Sequence, residues 1–151
     1  MTKIKILLAG TLVLVTYSCT SLILKPADFS WPIESVLKID DNGYAKEDRY
    51  AFAFNIKPLF YEEVQDSLAY LDRQVRIIRN TEGFYFITCA GFKNVYVFKL
   101  SDGSLEMEKK IMVNETGLNK PVFNQRIPLI ELIDGPDKYY LTKKGIEEDK
   151  K

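Results

Sequence analysis

From residue 33 onward, apolar and polar residues alternate in short runs broken by turn signals, a period of two rather than 3.6. Ile33 to Ile39 is the first predicted strand, closed by Asp40-Asp41-Asn42-Gly43, a strong turn signal. Arg49 to Lys57 is the second. Tyr50, Phe52 and Phe54 alternate with Ala51, Ala53 and Asn55, giving an aromatic face and a small-residue face, and Pro58 ends the run. Tyr61 to Leu71 is the one helix candidate, with Val64, Leu68 and Leu71 at helical spacing. Gln74 to Arg79 returns to alternation, and Asn80 to Gly83 forms the next turn. Phe84 to Cys89 and Val95 to Leu100 are apolar on both faces, which places them in the middle of a sheet or sandwich. Ser101-Asp102-Gly103-Ser104 turns the chain into Leu105 to Val113. A loop is predicted from Gly117 to Pro128, then a last pair of strands, Leu129 to Ile133 and Lys138 to Thr142, around Asp134 to Asp137. Residues 144–151 read as a frayed charged tail.

About eight short strands at regular spacing predict an all-β fold, an antiparallel meander forming a sandwich or a small barrel, with one short helix. Val75 to Ile111 superficially resembles one propeller blade, but a propeller needs several copies of ~40 residues and no second copy exists. The predicted core holds Val36, Leu37, Phe52, Phe54, Phe86, Val97 and Phe98. Nine Tyr, nine Phe and Trp31 raise the aromatic share to 13%, in keeping with strands.

The first residues follow another pattern. Lys3 and Lys5 precede an apolar run from Ile6 to Val15, and Thr16-Tyr17-Ser18 leads into Cys19. The run is far shorter than the ~20 residues of a membrane-spanning helix and suits an export signal that is removed. The segment resembles the lipobox of bacterial lipoproteins. Ser18 matches the small residue before the cysteine, Tyr17 departs from the pattern, and the aliphatic Val15 sits one place early. The resemblance covers about the first 19 residues and implies residues 1–18 as a signal peptide with lipid on Cys19. It further implies residence in the bacterial cell envelope. Thr20, rather than Asp, after the cysteine points to the outer membrane. Residues 19–30 would then be a lipidated tether, reaching about 40 Å if fully extended, and residues 31–143 a single β-rich domain.

The 21 basic and 21 acidic residues balance, and the expected mature chain, without Lys3 and Lys5, is slightly acidic. No basic stripe suggests nucleic acid. With no histidine, the Ser-His-Asp and Cys-His machineries and histidine-ligated metals are excluded. Besides Cys19 the only thiol is Cys89, in an apolar run, so a buried small hydrophobe is expected, and neither a disulfide nor a cysteine-ligated zinc can form within the mature chain. Asp40, Asp41 and Asn42 could ligate calcium but lack the spacing of a calcium loop, and a hairpin turn explains them. Glu62 and Glu63 are adjacent and so point apart, unlike a catalytic carboxylate pair. Lys99 with Ser101 and Ser104 lies at an exposed turn, where a lysine keeps its proton.

No catalytic, metal or cofactor residue is therefore expected, and Cys19 is the one assigned site. The leading expectation is a non-catalytic, lipid-anchored envelope protein that binds a protein partner or supports an assembly. A carrier of a small hydrophobic ligand and a carboxylate-based hydrolase are the alternatives. An aromatic-lined cavity of several hundred Å³ would favour the carrier, two carboxylates facing across a cleft the hydrolase, and a filled core with an exposed apolar patch the partner-binding module.

Overall fold

The computed structural model describes residues 33–147. The expected signal peptide, Cys19, the tether, Trp31 and the last four residues lie outside that range. The described chain is antiparallel β-structure in three layers. Strands β1 (Ser35–Lys38), β4 (Gln74–Arg79), β5 (Phe84–Cys89), β6 (Asn94–Ser101) and β7 (Ser104–Met112) form a five-stranded sheet in the order β1-β4-β5-β6-β7. Strands β8 (Pro121–Arg126), β9 (Leu129–Asp134), β10 (Asp137–Thr142) and β11 (Gly145–Glu147) form a four-stranded sheet in the order β11-β10-β9-β8. The hairpin of β2 (Tyr44–Glu47) and β3 (Phe52–Asn55), with helix α1 (Lys57–Val64), makes the third layer.

The all-β fold predicted from the alternation is observed, and of the sandwich and the small barrel it is the sandwich that forms, with the five-stranded sheet covered on both faces. Period-two geometry sends successive side chains to opposite sides. Tyr85, Ile87 and Cys89 of β5 enter a core under the hairpin and helix, while Phe84 and Phe86 enter a second core against the four-stranded sheet. Tyr96 and Phe98 of β6 join the first, and Val95 and Val97 the second. This is why β5 and β6 read as apolar throughout: all six residues of β5 are buried.

Polar groups tie the layers together. Glu34 accepts a hydrogen bond from the Phe123 amide of β8 at 2.8 Å and pairs with Arg76 of β4 at 2.8 Å, bridging the two sheets. Asp134 accepts from the amides of Asn119 and Lys120 and holds the loop into β8. Gly117 takes φ +91°, and a Cβ there would stand 3.0 Å from the Gly91 carbonyl oxygen, so the close crossing of these two loops requires glycine.

Several sequence expectations are corrected. The helix is Lys57–Val64, not Tyr61 to Leu71. Pro58 lies in its first turn, where a missing amide costs nothing, and Gln65 at φ 58° ends it. Val64, Leu68 and Leu71 are exposed; the helix instead buries Phe60. The second predicted strand shortens to Phe52–Asn55, and Tyr44–Glu47 is its partner in the hairpin. The predicted loop from Gly117 to Pro128 contains strand β8, with Pro121 and Phe123 buried and Val122 and Asn124 exposed. The predicted frayed tail is strand for Gly145–Glu147, paired with Tyr140 to Thr142. Of the predicted core, Leu37, Phe86 and Val97 are buried, and Phe52, Phe54 and Phe98 pack partly buried against the first core. Val36 is 45% exposed, because β1 is an edge strand that turns only Leu37 inward.

Candidate functional site

The third layer is narrower than the sheet it covers. Two short strands and an eight-residue helix cannot roof five strands. The uncovered part lies over β6 and β7 and forms a cleft of about 680 Å³. That size falls within the usual range of ligand pockets, and its apolar lining suits one.

Register determines the floor. Tyr96 stands opposite Lys110, Phe98 opposite Met107, and Leu100 opposite Leu105, and all six line the cleft. Ile87 of β5, opposite Tyr96, adds a buried apolar wall. A β-bulge in β7 makes this arrangement possible. Val97 pairs with Lys109 and Phe98 with Met107, leaving Glu108 without a partner between them. The extra residue reverses the inward parity of the strand. Leu105 therefore packs against the first core, while Ile111, six residues on and of the same parity, packs into the second. The roof is Phe52 and Phe54 from β3 with Pro58 and Leu59 from the start of α1. Phe52 meets Tyr85 of β5 edge to face at 5.2 Å, which pins the hairpin over the sheet, and packs against Phe54 of its own strand at 5.9 Å. Leu100 and Met107 stay 46% and 60% exposed at the mouth.

One end of the cleft is polar. Glu62 of α1 and Lys110 of β7 pair across it at 2.6 Å. That contact raises the Lys110 ammonium above the ordinary lysine range. Next to it, Glu63 accepts from the Lys93 amide and the Asn94 side chain, both at 2.8 Å. Tyr96 lies in the same corner. Its hydroxyl is buried beside the Glu63 carboxylate. Burial, and then the neighbouring Glu63 and Glu62, push its pKa upward, so it stays a neutral phenol at any physiological pH.

The other residues weighed from the sequence have structural explanations. Asp40 accepts from the Asn42 and Tyr44 amides and closes the hairpin turn. Ser104 donates its hydroxyl to the Ser101 carbonyl within the β6–β7 turn, and Lys99 is exposed beside them. Glu62 and Glu63 are engaged as above and do not face each other across the cleft. Cys89 is buried at 0% exposure, and desolvation pushes its thiol up to about 11, which leaves it inert. Cys19 lies outside the described residues. Among the described residues no group of three or more acidic or cysteine side chains is placed to hold a metal.

The large aromatic side chains serve different places. Phe52, Phe54, Tyr96 and Phe98 line the cleft, Phe60 packs beneath the helix, and Phe84 and Phe86 fill the second core. Leu59, Leu100, Leu105, Met107 and Lys110 were not singled out by sequence reasoning. The alternation of Phe98 with Leu100 hinted at a second apolar face on β6, but nothing in the sequence marked it as uncovered. The chain matches no protein-family model, and neither a curated protein nor a solved structure matches it.

Proposed function

We propose that this protein is a non-catalytic binding module that takes an apolar ligand into the cleft over β6 and β7, held at the bacterial cell envelope by lipid on Cys19. The observation that carries the reading is the cleft itself, about 680 Å³ with walls of Phe, Leu, Ile and Met. Of the three functions left open by the sequence, an aromatic-lined cavity of this size favours the ligand binder. Two features weigh against a partner adding a strand at the neighbouring β7 edge. That edge is broken by the bulge, and Glu106, Glu108 and Lys109 crowd it with charge.

Titration with Nile red, a neutral dye that brightens in apolar surroundings, tests the cleft. Saturable binding is expected. Met107→Glu and Leu100→Glu should weaken it at unchanged melting temperature, since both side chains are already half exposed. Absent or mutation-insensitive binding would remove the proposal. The anchor is tested by mass spectrometry of the native N-terminus. An acylated Cys19 supports it, with Cys19→Ser releasing the protein from membranes; an unmodified Cys19 overturns it. Each buried methylene contributes about 0.8 kcal/mol, so two or more chains hold a protein on a bilayer where one does not.

A further inference from the structure

Resting on the cleft as the binding site, we infer that the Glu62–Lys110 ion pair selects its ligand by head group: an amphiphile whose head carries no net charge and both donates and accepts hydrogen bonds, as a primary amide does. Of the described residues that line the cleft, only Glu62 and Lys110 carry charge. They stand at one end of it, where Lys110 is in register with Tyr96, and their 2.6 Å contact joins α1 to β7. Leu100, four residues along β6, stands about 13 Å away at the mouth. An apolar tail lying over Phe98, Met107 and Leu100 therefore brings its head to the pair.

The pair keeps bonding capacity for a head group. An ammonium has three protons to donate and a carboxylate about four positions that accept, and their mutual contact uses one of each. The two side chains remain 43% and 53% exposed, so the other positions are open. A head oxygen can accept from Lys110 while a head N–H donates to Glu62, with the pair left intact. Heads of a single charge fare worse. The carboxylates of Glu62 and Glu63 both act on Lys110, so an anionic head seeking that ammonium would be repelled by both. A cationic head seeking Glu62 would stand beside Lys110. Glu63 offers it no alternative, because that carboxylate is engaged by the Lys93 amide and the Asn94 side chain and is not among the lining residues.

Displacement of bound Nile red by octanamide, octanoate and octylammonium at pH 7, below their micelle concentrations, tests this in the full-length protein. Octanamide should displace the dye at the lowest concentration. Glu62→Gln leaves Lys110 without its partner, and Lys110→Gln leaves Glu62 without its own. In the first variant octanoate, and in the second octylammonium, should gain on octanamide by roughly threefold or more, the worth of a hydrogen bond to a charged group. Each ratio is taken within one variant, so a change in the affinity for the dye itself cancels. Both residues are half exposed, so melting temperatures should barely move. Equal displacement by the three probes, a charged probe that displaces best from the wild type, or a ranking that neither variant alters would overturn the head-group inference while leaving the cleft intact. Failure of Nile red to bind the wild-type protein would instead overturn the cleft reading on which the inference rests.

Discussion

Phe86 and Phe98 are one strand apart in the same sheet, and truncating each to alanine should have very different costs. Phe86 is 0% exposed, paired with Ile78 on one side and Val97 on the other, and closed over by the four-stranded sheet. A buried phenylalanine hides ~200 Å², or about 5 kcal/mol at ~25 cal/mol per Å². The alanine methyl retains part of that, and the cavity adds to the loss, so about 3–5 kcal/mol is expected. For a domain of this size that removes a large part of the total stability and lowers Tm by roughly 10–20 °C. Phe98 lines the open cleft and is only partly buried. Its truncation enlarges a space that water already enters, so no sealed cavity forms and the cost should stay near or below ~2 kcal/mol. Urea unfolding of both variants measures the difference, provided m stays constant. Equal losses would mean that the hairpin and helix seal the floor of β6, and the cleft argument would fail with them.

Glu34→Ala should cost about 1–3 kcal/mol by urea unfolding, because it leaves the Phe123 amide and Arg76 without their shared partner between the sheets; a loss below about 0.5 kcal/mol would show that this bridge is idle. For Glu131, burial raises the pKa, but the Asn124 and Lys138 hydrogen bonds and the charges of Lys138 and Arg126 outweigh it, and the carboxyl titrates below the ordinary value of 4.5. Its folded pKa being the lower one, the ionised group stabilises the fold above about pH 4.5 and loses that contribution as pH falls through the folded value. Thermal melts of wild type and Glu131→Gln should therefore differ most near neutrality and converge in acid, and a constant gap would contradict the linkage. Cys89, with its thiol pushed up to about 11, should resist iodoacetamide at pH 8 while folded and react at once in denaturant, whereas rapid labelling of the folded protein would contradict its burial.

The alternation from Gln74 to Leu100 and the punctuation by Gly, Asn and Asp were enough to predict an antiparallel all-β fold. Local chemistry suffices there, because a strand covered on one face must alternate and a strand covered on both must be apolar throughout. Phe84 to Cys89 therefore announced its central position before any partner was known. Runs where local signals conflict were misread. Pro58 looked like the end of a strand and opens a helix instead, and the helical spacing of Val64, Leu68 and Leu71 marks no buried face. Gly145–Glu147 was hidden by its charges, since an edge strand needs only backbone pairing with β10. The cleft itself was not legible. It arises from a mismatch in width between the covering layer and the sheet, a property of no single segment. Its floor depends on the bulge at Glu108, which reverses parity so that Leu105, Met107 and Lys110 share one face while Ile111 turns to the other. The burial of the Tyr96 hydroxyl beside Glu63 was equally invisible, because which polar groups meet is decided by residues far apart in the chain. Sequence determined which residues had to be buried; only packing decided which buried residues were left facing an open space.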